Sequence, residues 1–136
     1  MKIRESTQED MKFMKGRSVS RGILDKQPEC IDYCYTLEHE GKVMCIGGFR
    51  LVNLVTMWCW LDLSTEAGGH IIAVYRVVKE YLEAFAKNQN IQRAQAYVEP
   101  DFPEAIRMVQ HLGFKKESIM EGFTPKGDAF MYRRLF

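Results

Sequence analysis

Thr56-Met57-Trp58-Cys59-Trp60-Leu61-Asp62-Leu63-Ser64-Thr65-Glu66-Ala67-Gly68-Gly69-His70 runs from an apolar strand into the start of a long helix, and this stretch decides the fold. Apolar residues fall on both parities of Thr56 to Leu63, the pattern of a central strand covered on both faces. From His70 to Asn88 the period changes. Ile71, Val74, Tyr75, Val78, Leu82 and Phe85 recur at three and four, with Arg76, Lys79, Glu80, Glu83 and Lys87 opposite, so this is an amphipathic helix whose stripe is core. Arg93 to Glu99 reads as a strand again. A right-handed crossover lays it parallel beside Thr56–Leu63.

Upstream, Tyr33 to Glu38 and Lys42 to Val52 are strands joined by the turn signal Glu40-Gly41, and Asn53 connects to Thr56, giving an antiparallel meander of three strands. Lys2 to Glu5 is a short extended start. Thr7 with Asp10 is a capping box for a helix over Gln8 to Lys15, ended by Gly16. Val19, Ile23 and Leu24 read as a second short helix, broken by Gly22 and closed by Pro28. Downstream, Asp101 with Glu104 is expected to cap a helix from Pro103 to Leu112, with Ala105, Ile106, Val109 and Leu112 inward and Gly113 as its stop. Phe114 to Met120 and Ala129 to Leu135 then form two strands around a loop, Glu121 to Asp128, rich in Gly and Pro.

The chain has 136 residues, 46% hydrophobic and 27% charged, with 19 Lys+Arg against 18 Asp+Glu. This length fits one domain, 1–136, with a core of its own. Balanced charge argues against a general nucleic-acid binder. The pairs Lys115-Lys116 and Arg133-Arg134 read as solvated faces, and Trp58 and Trp60 as core or cleft wall. No apolar run approaches the roughly 18 residues of a membrane span, and Met1-Lys2-Ile3-Arg4-Glu5 is no signal peptide, so a cytoplasmic protein is expected. Cys30, Cys34, Cys45 and Cys59 form no CxxC pair, and His39, His70 and His111 are scattered. These are expected to be reduced, packed thiols, and no metal is expected.

Three local stretches resemble the GCN5-related N-acetyltransferase (GNAT) superfamily: Ile3-Arg4 leading to Thr7 and Asp10, Glu40-Gly41-Lys42-Val43 before Ile46-Gly47-Gly48-Phe49, and Leu112-Gly113-Phe114-Lys115. The order of segments resembles it along the whole chain. The resemblance implies an α/β (α+β) fold: a mixed, mostly antiparallel sheet of six to seven strands, about four helices, and a splayed parallel pair, Thr56–Leu63 and Arg93–Glu99. It further implies acetyl-CoA in that gap, with backbone from Trp60, Leu61, Asp62 and Leu63 along the pantetheine arm and polarising the carbonyl. Gly68, Gly69 and His70 would take the pyrophosphate at the helix start, where unpaired amides favour anions.

Against the family's Gln/Arg-x-x-Gly-x-Gly/Ala loop, His70 replaces the last small residue, and Glu66 adds a carboxylate. The position where many members carry a proton-donating Tyr is Val109, and an upstream Asn is replaced by Phe102. Glu99 and Asp62, at the ends of the two strands, are the candidate general bases for an incoming amine. The implied function is acetyl transfer from acetyl-CoA to an amine acceptor, a small molecule or a protein. The alternative is a catalytically silent scaffold, similar to short GNAT-like bacteriophage proteins in the host cytoplasm or virion. The family resemblance also implies a homodimer through the C-terminal strands. The acceptor surface is expected around Ser18–Gln27 and Glu121–Asp128.

Overall fold

The computed structural model describes residues 1–18 and 33–136. The short helix expected around Val19, Ile23 and Leu24, and with it Cys30, lies outside the described residues. Among the described residues seven strands, β1 (Lys2–Glu5), β2 (Tyr33–His39), β3 (Lys42–Leu51), β4 (Thr56–Leu63), β5 (Arg93–Val98), β6 (Lys115–Thr124) and β7 (Gly127–Leu135), form one sheet in the order β1-β2-β3-β4-β5-β7-β6. Among the described residues the helices are α1 (Gln8–Met14), α2 (Ile71–Asn88) and α3 (Pro103–His111), with a 3-10 turn over Thr65–His70. β4 is the middle strand, as its apolar run requires. Only Met57 and Asp62 in it are buried, though, and Trp58 through Leu61 are half-buried. No described helix is long and apolar enough to cross a membrane.

The chain contacts divide into two compact units. The first comprises Met1–Arg50 and Cys59–Val77. Its β1 and β2 pair antiparallel, Ile3 opposite Leu37, and β2 pairs with β3 from Tyr33↔Phe49 to His39↔Lys42. The β2–β3 turn has both central residues at positive φ, Glu40 at 52° and Gly41 at 76°, the twist a two-residue hairpin needs. The Thr7 capping box forms in full. Its Asp10 is buried and receives both Arg4 guanidinium nitrogens at 2.7 and 2.8 Å, the Thr7 amide at 2.8 Å and the Thr36 hydroxyl at 3.0 Å. Met14, Val43 and Ile46 make the core beside this network, with Met11, Phe13, Cys34 and Trp60 against it.

The second unit comprises Leu51–Trp58 and Val78–Phe136. Here Thr56, Met57 and Trp58 pair parallel with Arg93, Ala94 and Gln95, as the crossover rule requires, and β5 pairs antiparallel with β7 along its length. Met57, Ala94 and Ala129 are fully buried. Arg134 donates to Glu83 at 2.7 Å and to the Leu112 carbonyl at 2.9 Å, tying β7 to α2 and to the end of α3. Lys116 lies 3.5 Å over the Phe130 ring. These basic residues are thus engaged by their own unit.

Two expectations are corrected in this unit. Phe102, not Asp101, occupies the α3 N-cap position and no side chain caps it; Pro103 at the first helical position sets the helix start instead. Glu121 to Asp128 is not a loop: β6 runs to Thr124 and β7 begins at Gly127, leaving Pro125-Lys126 as the turn. Gly122, at φ 62°, sits where the β6–β7 register shifts, so it serves a bulge inside the hairpin.

Candidate functional site

In the first unit, the end of β4 is held by its neighbours' backbone. Buried Ser64 donates its hydroxyl to the Val43 carbonyl at 2.6 Å and accepts the Glu66 amide at 3.0 Å. The Ser64 amide donates to Met44 at 2.9 Å, Thr65 to Arg17 at 2.8 Å, and Ala67 back to Ser64 at 3.1 Å. The segment read from sequence as a phosphate loop is therefore wound into a 3-10 turn with its first amides engaged. It continues directly into α2, because Ile71 is already helical. Gly68 and Gly69 face open space: a Cβ on either would meet nothing within 4 Å.

Side chains of three segments gather around this turn. Exposed His70 meets His39 edge-on, ring centroids 4.9 Å apart. The Lys42 ammonium lies 3.5 Å from Glu66, and His39 Nε2 lies 3.8 Å from Glu40. Lys42 thus answers the carboxylate that departs from the family's loop. His39 and Lys42 flank the β2–β3 turn, and nothing in their sequence spacing tied them to Gly68-Gly69-His70. Only the antiparallel fold-back does so.

Asp62 is buried, and its Oδ1 accepts the Ser18 hydroxyl at 2.7 Å. Ser18 also bridges to Ser64, so the carboxylate ties the chain after α1 to the end of β4. Burial, helped by the Asp62 charge, pushes the Cys45 thiol up to about 12, and burial likewise raises Cys59. With Cys34 they are free thiols, and the two raised ones are poor nucleophiles. The Trp60 indole lies over Gly48. A Cβ at Gly48 would come within 2.5 Å of the Tyr33 carbonyl and 2.6 Å of Trp60 Nε1, and one at Gly47 within 3.0 Å of the Trp60 carbonyl. Gly48→Ala is accordingly expected to cost about 1–3 kcal/mol in urea unfolding and to change the tryptophan emission. Unchanged stability and emission would mean that Trp60 is not seated on Gly48.

In the second unit, Glu99 follows β5 with its side chain only 8% exposed, and Lys126 Nζ stands 4.0 Å from Oε2. Two residues earlier, Tyr97 is packed edge-on between Trp58 and Phe123, at 6.3 and 5.0 Å between centroids. Burial and then the Glu99 charge hold the Tyr97 hydroxyl above its ordinary range. Val109 and Phe102, where the family pattern has Tyr and Asn, are both buried apolar side chains of this unit. Lys126 was invisible as a site residue in the sequence, because it lay in what read as a solvated loop.

No protein-family model matches the chain, and no curated protein matches it. Solved structures do. A spermidine N-acetyltransferase chimera built on the Vibrio cholerae enzyme superposes with a TM-score of 0.80 at 13% identity, over 98% of this chain and 94% of that one. A GNAT family acetyltransferase from Elizabethkingia anophelis, solved with acetyl-CoA bound, gives 0.78 at 12% identity over 99% and 97%. The chain has the GNAT acetyltransferase fold. A ribosomal-protein-S5-alanine acetyltransferase from Vibrio fischeri matches at 0.67 and 18% identity over 76% of this chain, which spans 61% of that protein's length. At such identities the GNAT likeness is one of backbone.

Proposed function

We propose that the chain is an acyl-CoA-dependent N-acyltransferase that moves an acetyl group from acetyl-CoA to an amine. The observation supporting it is the match over 99% of the chain to a GNAT structure holding acetyl-CoA. The residues present fit the cofactor's phosphates: Gly68 and Gly69 leave open space where side chains would stand, and His39, His70 and Lys42 bring donors to the same turn. In this reading Gly68, Gly69 and His70 hold the pyrophosphate, and the backbone of Trp60, Leu61, Asp62 and Leu63 lines the pantetheine arm and polarises the carbonyl. When bound, acetyl-CoA supplies a thioester with a good leaving group. Glu99 takes the proton of the incoming ammonium. Asp62, held by Ser18, acts as a positioning residue for the end of β4 rather than as a base.

Acetyl-CoA at about 100 times its Kd should stabilise the fold by about 2.7 kcal/mol, read as a rise in melting temperature. Gly69→Glu, which puts a carboxylate where phosphate must approach, should abolish that rise without lowering the unliganded melting temperature. No stabilisation of the parent chain at millimolar acetyl-CoA would overturn the reading. The buried Val109 and the engaged amides of Thr65, Glu66 and Ala67 favour a second reading, a silent GNAT-fold scaffold. In that case Gly69→Glu leaves the biological phenotype intact.

A further inference from the structure

Turns between strands are ordinarily polar, because their backbone faces water and their tight geometry suits Gly, Asn, Asp and Ser. The β3–β4 turn is built the other way. Its sequence is Leu51-Val52-Asn53-Leu54-Val55, and Asn53 supplies the turn chemistry. Asn53 Oδ1 accepts the Val55 and Thr56 amides, each at 2.9 Å, and the Thr56 carbonyl accepts the Val52 amide at 2.8 Å. Leu51, Val52, Leu54 and Val55 are left exposed around it, Leu54 at 89%. This knuckle is both apolar and preformed, so burying it against a partner carries little ordering cost.

Backbone bonds extend the patch within the second unit. The Val55 carbonyl accepts the Gln92 and Arg93 amides at 2.8 and 3.0 Å, and the Gln92 carbonyl accepts the Phe136 amide at 3.0 Å. Leu135, opposite Arg93, and Phe136 are exposed as well. The end of α2 joins them, with the Ile91 amide on the Ala86 carbonyl at 2.9 Å. The segments that meet here, residues 51–58, 86–95 and 133–136, contain Lys87, Arg93, Arg133 and Arg134 and neither Asp nor Glu. Glu117 answers Arg93, and Glu83 answers Arg134, both from outside these segments. Lys87 and Arg133 make no salt bridge among the described residues.

We propose that this end of the second unit docks on an anionic lipid surface. The side chains of the β3–β4 knuckle seat among the headgroups, and Lys87 and Arg133 face the lipid phosphates. An exposed apolar patch marks a contact site, and a cationic rim with no carboxylate of its own selects a negatively charged partner. A second copy docked by two-fold symmetry would instead bring the rim against itself, cation facing cation. The chain rests on the surface and does not span it. This inference stands apart from the acyltransferase reading and uses none of its residues.

The test is to sediment the full chain with extruded vesicles, either of phosphatidylcholine alone or of phosphatidylcholine and phosphatidylglycerol mixed two to one. Binding to the mixed vesicles is expected to be at least about tenfold tighter than to the neutral ones. Leu54→Asp should weaken it by about tenfold or more, the worth of one buried leucine, with the melting temperature unchanged because the side chain is exposed. Lys87→Gln should weaken it by about fivefold, the worth of one charge near such a surface. No sedimentation with the mixed vesicles overturns the inference, and so does binding that Leu54→Asp leaves intact. A parent chain that is dimeric in analytical ultracentrifugation, and monomeric as Leu54→Asp, overturns it in favour of a second copy. Retention of a DNA duplex with the same sensitivity to Leu54→Asp overturns it in favour of nucleic acid.

Discussion

Asp10→Ala is expected to lower the unfolding free energy by about 3–5 kcal/mol, the range for removing one partner of a buried, hydrogen-bonded ion pair. The substitution leaves the Arg4 guanidinium with only Glu38 as a carboxylate partner among the described residues and strips acceptors from the Thr7 amide and the Thr36 hydroxyl. It also dissolves the capping box that starts α1. The same carboxyl makes stability depend on acid. Hydrogen bonds from Arg4, above all, hold Asp10 well below the ordinary carboxylate range, against the opposing effect of burial. Its folded value is therefore lower than its unfolded value of about 3.9. Its contribution is complete above the unfolded value and is lost as pH falls from there through the folded value. Urea unfolding followed from neutral pH to pH 3 should show a loss of stability that is smaller in Asp10→Asn. If Asp10→Ala costs under about 1 kcal/mol, the network is an ornament of the surface.

Glu99→Gln is expected to slow acetyl transfer to a saturating amine by about 10²–10⁴-fold, the usual contribution of a positioned base. The amide keeps the shape of the side chain and cannot take a proton. Acetyl-CoA affinity, read from the melting shift, should be unchanged, because the residues proposed to hold its phosphates belong to the turn after β4. Release of free CoA thiol measures the rate. A rate within about threefold of the parent would leave Glu99 as a strand-end charge and return the search for a base to water.

Local chemistry made most of the fold legible. Thr7 and Asp10 specify their capping box by type and spacing, and Glu40-Gly41 specifies a turn that only positive φ satisfies. The apolar run of β4 and the stripe of α2 define the crossover whatever else surrounds them. Glu121 to Asp128 misled because Gly122 and Gly127 are needed for a bulge and a tight turn, and both uses resemble a loop in one dimension. The site was legible only where it is contiguous. Gly68, Gly69 and His70 stand in one run, whereas the partners of this turn and of Glu99, namely His39, Lys42 and Lys126, arrive through hairpins. The winding of Thr65–His70 was hidden for another reason. Ser64 and Arg17 capture its amides, and Arg17 is far off in sequence.

If the chain binds acetyl-CoA as proposed, the 3-10 turn would act as a latch on that affinity. The amides of Thr65, Glu66 and Ala67 are taken by Arg17 and Ser64, and helix α2 follows without a break. Binding through those donors requires the unwound form, so the apparent affinity equals the intrinsic one multiplied by the fraction unwound. In that reading, whatever loosens Ser64 or Thr65 from their carbonyl partners would tighten the hold on the anion, and whatever secures them would weaken it. The strength of binding proposed at this turn would thereby be written in the backbone of β3 and of the chain after α1, away from any atom that would touch phosphate.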